Sequence, residues 1–180
     1  AAKLGIPFTV WDVTEEYKTR VLQNFYSEYA AGRTPNPDVL CNSEIKFGIA
    51  LERALAAGYE FVATGHYARL GREIRNLLAA VDKSKDQSYY LYGLSQEQLG
   101  SVLFPLGGML KSDVYALAEK FQVPFDTEYR ESQDLCFFPE KHPEEFLKRY
   151  LKDALIPGDI VRRDGKIVGS HKGLPLYTVG

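Results

Sequence analysis

The 180-residue sequence has few of the residues that build covalent frameworks or redox centres: two cysteines, one methionine and one tryptophan. Two cysteines without a CxxC pair exclude a disulfide-rich scaffold, and three scattered histidines do not complete the ligand spacing of a zinc site. No apolar run is long enough for a membrane span and no export signal opens the chain, so we expect no membrane partner and a cytoplasmic location. The formal net charge of -2 gives no sign of a nucleic-acid partner, although a local basic face can sit on an acidic protein.

The two ends of the chain are typical of cuts inside a longer protein. The first residues resemble the end of a helix stopped by Gly5, and no methionine starts the sequence. At the other end, an apolar stretch over residues 174–179 runs directly into Gly180. We therefore expect the native protein to be longer than this chain.

The pattern of apolar residues favours an α/β fold. Apolar positions recur at three- and four-residue steps in several segments, which predicts helices over residues 14–31, 43–57, 86–100, 111–121 and 143–151. Short apolar runs predict strands over residues 8–13, 61–64, 74–81 and 174–179, and a hairpin around Asp164 and Gly165. Strands alternating with helices indicate βα units on a parallel sheet, with a change to a β-rich region near Pro157.

The first candidate site is the segment over residues 32–41. Two prolines constrain it, which predicts no helix over residues 33–38 and fixed directions for Asn36 and Asp38. An Asn amide can donate and accept at a base edge, and a carboxylate can take or return a proton. Cys41 stands at the predicted start of the next helix, whose positive end would lower the pKa of its thiol. The alternative is a stiff connection with a buried cysteine.

The second cysteine, Cys136, lies in residues 125–139, which show no periodicity and are predicted to form a loop. Only the fold could bring it to Cys41, because the two are far apart in sequence. If the two thiols meet, they suit a persulfide carrier and a resolving partner.

Gly65 and His66 form a third candidate. Gly65 follows a predicted buried strand, at the carboxyl end where parallel sheets bind ligands, and lets a flat ring approach the backbone. His66 could then face a phosphate or a base, although a lone histidine is more often structural.

A fourth candidate follows in residues 82–90. Lys83, Lys85 and Gln87 stand next to Tyr89 and Tyr90, a combination that suits phosphate contacts and base stacking. A solvated turn before a helix explains the same residues equally well.

Together and in this order, these segments resemble the bacterial tRNA-specific 2-thiouridylases, a sulfur-transferring family of the PP-loop ATP pyrophosphatases. The matching strings are GRTPNPDVLCNSEIKFG (32–48), TGHYAR (64–69), DKSKDQSYYLYGL (82–94), LFPLG (103–107), ESQDLCF (131–137), PGDIV (157–161) and GSHKGLPLYTVG (169–180). The similarity runs over essentially the whole chain, and the pair PNPDxLC and SQDxCF is its most specific part.

The resemblance implies an architecture and an activity. Residues 1–138 would be the C-terminal part of a PP-loop parallel-sheet domain, with a helical extension at about 108–124, and residues 139–180 the start of a β-rich central domain. Members of the family are tRNA-uridine 2-sulfurtransferases. They use ATP, with Mg²⁺, to adenylate the C2 oxygen of the wobble uridine, and a cysteine persulfide then delivers sulfur to the activated carbon. The partners would be tRNA and a sulfur donor, either a cysteine desulfurase or a sulfur-relay protein.

Carried over by position, the resemblance also implies residue roles. Cys136 would hold the persulfide, Cys41 would attack it to free sulfide or close a disulfide, and Asp38 would act as acid or base. The other implied contacts are Asn36 and Pro37 to the target uracil, Gly65 to the adenine nucleotide, His66 to discriminate the tRNA, and Lys85, Asp86 and Gln87 to the tRNA.

The sequence departs from the family pattern at one decisive point. The glycine- and serine-rich phosphate loop of the SGGxDSS type does not occur, and most of the β-barrel is missing as well. Such a loop cradles phosphates with backbone N–H groups at a helix N-terminus. We therefore expect this chain alone neither to hydrolyse ATP nor to thiolate tRNA.

Three other interpretations compete with the one that the resemblance implies. A PP-loop enzyme with a different amide or carbonyl substrate would not need the two cysteines together. An RNA methyltransferase would need a glycine-rich cofactor loop after a strand, and the sequence has none. A non-catalytic RNA-binding module would bind tRNA in a salt-sensitive way that thiol alkylation leaves unchanged.

Overall fold

The computed structural model describes residues 1–71, 76–123 and 143–177. These residues form two compact units. The first unit comprises Ala1–Tyr17 and the residues from Asp38 to 123, and the second comprises Lys18–Pro37 and the residues from 143 onward. Within the described ranges, no helix combines the length and the apolar character needed to cross a bilayer. Cys136 and the loop predicted over residues 125–139 lie outside the described residues.

The strand predicted over residues 8–13 is wrong, since the backbone there forms neither strand nor helix. An extended apolar segment becomes a strand only when a neighbour satisfies its backbone groups. No described strand pairs with this segment, and the side chains of Phe8 and Val10 are 76% and 75% exposed.

The helix predicted over residues 14–31 is confirmed. It consists of α1 (Thr14–Tyr17), a π-helical segment (Lys18–Leu22) and α2 (Gln23–Ala30). Gly32 ends it in the left-handed region, with φ of 73°, and the amide of Arg33 bonds back to the carbonyl of Glu28 at 2.9 Å. This is the glycine-terminated helix end that the sequence predicts.

The second long helix begins at Pro37 rather than at the predicted Ser43. It consists of α3 (Pro37–Leu40), a π-helical segment (Cys41–Ile49) and α4 (Ala50–Ala56). The prediction that no helix occurs over residues 33–38 is therefore wrong for its last two positions. Proline is well accommodated in the first turn of a helix, where its missing N–H would have no intrahelical partner.

The first unit contains a parallel strand pair and a hairpin. Strands β1 (Val62–Ala63) and β4 (Val102–Leu103) run parallel, which confirms the strand predicted over residues 61–64. Strands β2 (Ala68–Leu70) and β3 (Leu77–Ala79) are antiparallel; part of the strand predicted over residues 74–81 lies outside the described residues. The unit is thus α/β, as expected.

A single apolar core joins these elements. Its members come from the second long helix, from β2, from β4 and from the segment between residues 91 and 99: Phe47, Leu51, Ala68, Leu91, Leu94, Leu99 and Val102. Burial of each larger side chain stabilises the fold by about 1.5–3 kcal/mol relative to its exposed state.

Residues 86–100 do not form the single helix predicted for them. A 3-10 turn (Ser88–Leu91) is followed by α5 (Gln96–Gly100). Ser95 caps α5: its hydroxyl accepts the Gln98 amide at 3.1 Å, and the Gln98 side chain accepts the Ser95 amide at 2.8 Å. This capping box needs an extended backbone at Ser95, where ψ is 162°, so no helix can pass through that residue.

Helix α6 (Lys111–Lys120) confirms the helix predicted over residues 111–121. Its first amide is satisfied from outside the helix, because Asp82 Oδ2 accepts the amide of Lys111 at 3.0 Å. The same carboxylate accepts the amide and the hydroxyl of Ser84. These bonds hold the loop after β3 against the start of α6.

The second unit contains a helix and a hairpin. Helix α7 (Pro143–Tyr150) and the antiparallel pair β5 (Gly158–Val161) and β6 (Ile167–His171) confirm the predicted helix and hairpin. The core of this unit is an aromatic and aliphatic cluster of Phe25, Phe146, Leu147 and Leu151. The strand predicted over residues 174–179 is wrong in its described part: Leu174–Leu176 forms a 3-10 turn, in which Pro175 has no N–H to donate to a sheet.

Gly107 provides a test of the packing in the first unit. A Cβ atom at this position would lie 1.6 Å from the carbonyl oxygen of Ala68, whereas a Cβ at Gly108 would have nothing within 4 Å. We expect Gly107→Ala to lower the free energy of unfolding by about 3 kcal/mol, because the backbone of Ala68 would have to move away from the new methyl group. Gly108→Ala should change it by less than about 0.5 kcal/mol. Urea denaturation of the two variants checks this, and equal midpoints would contradict the packing.

Candidate active site

The second long helix carries an acid and a base that act on each other electrostatically. Asp38 lies in the first turn and Lys46 in the π-helical segment. A π-helix bonds each N–H five residues back, so its turns hold more than the about 3.6 residues of an α-helix, and positions eight apart return to the same side. Burial raises the pKa of the half-buried Asp38 carboxyl, and the positive charge of Lys46 partly offsets that rise.

Cys41 is half-buried in the second turn of the same helix, one turn beyond Asp38. It was predicted to stand at the entry of a helix whose positive end would activate the thiol. Because the helix begins at Pro37, that entry is four residues earlier, and the helix dipole acts mainly within the first turn. The predicted cause of activation therefore applies to the position of Asp38 and not to that of Cys41.

His66 lies over the same helix in a partly apolar setting. Its ring centroid is 5.6 Å from that of Phe47 and 6.1 Å from that of Phe104, and its Nδ1 is 2.8 Å from the hydroxyl of Thr64. Burial, and next the charge of Lys46, lower the pKa of His66 to about 4. The imidazole is therefore neutral at physiological pH and can both donate and accept a hydrogen bond.

Lys46 is the residue that the sequence predictions missed. Its charge acts on both Asp38 and His66, which places the three groups in one electrostatic neighbourhood. The spacing between Asp38 and Lys46 is informative only when the helix is known to begin at Pro37 and to widen after Leu40. A prediction that starts the helix at Ser43 cannot reveal it.

Gly65 lies two residues after the end of β1, at the carboxyl end of the parallel strand pair. It is exposed, and a Cβ there would meet only Leu106 Cδ1, at 3.8 Å. The backbone at this sheet edge is open to a planar group, so the residues present fit an adenine ring. Among the described residues, no group of three or more His, Cys, Asp or Glu side chains is placed to hold a metal ion.

The predicted RNA-contacting residues after β3 also have structural partners. Asp86 Oδ1 accepts the amides of Ala80 at 3.3 Å and Ser88 at 3.0 Å. Burial raises the pKa of Asp86, but these hydrogen bonds together outweigh it and lower the pKa overall. Gln87 makes two hydrogen bonds with the backbone of Tyr67. Its side-chain Oε1 accepts the Tyr67 amide at 3.1 Å, and its backbone amide donates to the Tyr67 carbonyl at 2.8 Å. Lys85 is half-buried.

Asn36 and Pro37 belong to the second unit, where Asn36 is half-buried and Pro37 is buried. The loop before them is anchored by Arg33, whose Nε and a terminal nitrogen donate to the Glu28 carboxylate at 2.6 and 2.7 Å. Cys136 lies outside the described residues, so its separation from Cys41 stays a prediction.

The second unit also has a cleft of about 730 Å³. Tyr29, Tyr150 and His171 are among the residues that line it. Gly32, the first residue of the first candidate site, also lines it, but no residue that the sequence analysis gives an individual role does so. The cleft therefore adds no support to the predicted chemistry.

The titration of His66 tests this arrangement. We expect its imidazole to have a pKa of about 4, measured by NMR of the Cε1 proton. Lys46→Met should raise that pKa, because it removes a positive charge that disfavours the protonated ring. Lys120→Met, a change of an exposed lysine on α6, should leave it unchanged. Since the unfolded histidine titrates near 6.5, folded-state stability should fall as pH drops from 6.5 towards 4. Titration of the unchanged protein near 6.5 would refute the arrangement.

Comparison with known proteins identifies the family. The chain matches the model of the tRNA methyl transferase HUP domain over residues 1–140 and that of the tRNA methyl transferase PRC-barrel domain over residues 144–180. The tRNA-specific 2-thiouridylase MnmA of Methylobacillus flagellatus is 48% identical over 182 residues, covering 100% of this chain and 50% of the relative. The protein of the same name from Nitrosomonas eutropha is 48% identical, covering 98% and 49%.

The name is the same in a third relative, from Acidothermus cellulolyticus, which is 48% identical over 98% of this chain and 49% of its own length. The chain thus spans about half the length of the curated relatives it matches. Both family models and these relatives together cover nearly every residue of the sequence. The chain belongs to the family of the tRNA-specific 2-thiouridylases, with a HUP domain of the PP-loop type followed by a small β-containing domain.

Proposed function

We propose that the whole protein is a tRNA-uridine 2-sulfurtransferase, which replaces the C2 oxygen of the wobble uridine with sulfur. The observation that carries this proposal is the pairing of a half-buried carboxyl and a half-buried thiol, Asp38 and Cys41, one turn apart on one helix. This pairing stands in a chain that is 48% identical along its full length to a relative named for thiouridine formation.

Asp38 is suited to move a proton. Burial raises the pKa of its carboxyl, which is the direction that favours a general acid or base. Lys46 opposes the rise and keeps the carboxylate form available. The proposed role of Asp38 is to take a proton from the uracil ring or to return one.

ATP supplies the activation, since adenylation turns the C2 oxygen into a leaving group. Cys136 carries the sulfur as a persulfide, whose terminal sulfur forms a bond to C2 as the bond from C2 to the activated oxygen breaks. The Cys41 thiolate then attacks the inner sulfur of Cys136. This step forms a Cys41–Cys136 disulfide and leaves the electron pair on the sulfur attached to the base.

The remaining positions complete the proposal. Gly65 would contact the adenine ring of ATP, whose phosphates would bind with Mg²⁺, and neutral His66 would bind a polar edge of the tRNA. The proposed RNA contacts are Asn36, Pro37, Lys85, Asp86 and Gln87. The persulfide comes from a cysteine desulfurase or a sulfur-relay protein in the cytoplasm. We also propose the domain boundary between residues 138 and 139.

A methyltransferase is the competing function, because the matching family models carry that word in their descriptions. The relatives are named thiouridylases, and the paired carboxyl and thiol suit sulfur transfer. Nucleoside mass spectrometry of tRNA treated with the whole protein, ATP, a sulfur donor and S-adenosylmethionine separates the two. We expect sulfur in place of oxygen; an added methyl group without sulfur would overturn the proposal.

Replacement of either cysteine tests the sulfur pathway. Cys41→Ser and Cys136→Ser should each reduce thiolation to background, because each removes one of the two sulfur atoms that the transfer needs. Binding of tRNA, measured in parallel, should stay within about 2-fold, since neither thiol is proposed to hold the RNA. Normal thiolation by either variant would contradict the pathway.

Replacement of the carboxyl tests the proton transfer. Asp38→Asn should lower kcat by about 100-fold or more, the usual contribution of a general acid or base. Asp113→Asn, on the exposed first turn of α6, serves as the matched control and should leave kcat unchanged. If both variants retain kcat, Asp38 has no role in proton transfer.

A further inference from the structure

The turn after Gln87 presents a row of tyrosines to solvent. It is a 3-10 turn (Ser88–Leu91), which repeats every three residues, so positions three apart lie on the same side. Leu91 and Leu94 are buried in the core, whereas Tyr89 and Tyr92 lie on another side of the chain. Their side chains are 64% and 66% exposed.

The rings of this tyrosine surface, formed by Tyr89, Tyr90 and Tyr92, meet at an angle. Tyr89 and Tyr90 are edge to face at 5.5 Å, and Tyr89 and Tyr92 are tilted by 54° at 5.9 Å. Such contacts do not cover both faces of the outer rings. Between residues 82 and 102, all of which are described, these tyrosines are the only exposed large hydrophobic side chains.

The tyrosine surface is tied to the helix that carries Asp38 and Cys41. The side-chain amide of Asn42, which is 3% exposed, donates to the carbonyl oxygen of Tyr90 at 3.1 Å. Gly93 packs against the same helix, where a Cβ atom would lie 3.5 Å from Val39 Cγ1. The position of the rings relative to the candidate active site is therefore fixed by buried contacts within the first unit.

The neighbouring charges suit a polyanion. The carboxylates of Asp82 and Asp86 accept hydrogen bonds from backbone amides, of Lys111 and Ser88 among others, so both are directed at the protein. Lys83, between them, is exposed. An outward lysine next to outward aromatic rings can neutralise a phosphate while the rings hold the bases.

We propose that Tyr89 and Tyr92 are the stacking surface for an unpaired nucleobase of the tRNA anticodon loop, next to the uridine that is modified. The inference rests on the proposed function and adds to it the residues that hold the loop. Unpaired RNA bases stack on aromatic side chains, and exposed tyrosine rings on a segment that also carries an exposed lysine favour a nucleotide as the bound group.

The test uses the whole protein and an anticodon stem-loop RNA with 2-aminopurine next to the wobble uridine. Tyr89→Ala and Tyr92→Ala should each raise Kd about 10-fold, and their complexes should fluoresce more than that of the unchanged protein, because the base is no longer stacked. Tyr89→Phe and Tyr92→Phe keep a ring and should behave as the unchanged protein. Tyr59→Ala removes a tyrosine of equal exposure, 64%, and should change neither quantity.

Three results would overturn the inference. If the Ala variants bind and quench normally while thiolation proceeds, only this surface is refuted and the proposed function stands. If they bind RNA normally but no longer accept sulfur from the donor protein, the tyrosines dock a protein instead. If the unchanged protein binds no tRNA at all, the proposed function fails together with the inference.

Discussion

The side-chain amide of Gln98 holds together the elements on which the candidate active site depends. Its nitrogen donates to the carbonyl oxygens of Ser43 and Phe47, at 3.1 and 2.8 Å, and its oxygen closes the cap of α5. One side chain thus joins the π-helical segment to the start of another helix, beside a core that includes Phe47 and Leu99. The directions of Asp38 and Lys46 follow from this attachment, because both stand on the helix that it fixes.

Local signals in the sequence were sufficient for elements that carry their own boundaries. Gly32 and Gly58 end two helices with positive φ, close to the predicted ends, and Gly165 turns the predicted hairpin. Predictions failed where a distant partner decides. Residues 8–13 have the composition of a strand, but no strand in the described part of the chain pairs with them. Pro37 occupies the first turn of a helix, whereas the two prolines of its segment indicate an extended loop. The helix predicted over residues 86–100 is interrupted at Ser95, whose capping role does not show in the spacing of the apolar residues.

The candidate site was predictable as a set of residues but not as an electrostatic arrangement. The positions Asp38, Cys41 and His66 followed from motifs, yet the effect of Lys46 on two of them depends on the π-helical widening. The motif residues Asp86 and Gln87 bond the backbone of their own unit, so a functional string also contains residues that build the loop. A sequence motif does not distinguish residues that bind a ligand from residues that hold the loop, because both require a fixed residue type.

The proposed mechanism requires two cysteines that act on one sulfur atom. Peptide mass spectrometry of the whole protein after a single turnover, without reductant, tests this most directly. The protein is first loaded with sulfur and then given ATP and tRNA. We expect the extra sulfur on Cys136 before turnover, and after it a Cys41–Cys136 disulfide together with one thiolated tRNA. A thiolated tRNA with both cysteines still reduced, or sulfur loaded at neither cysteine, would contradict it.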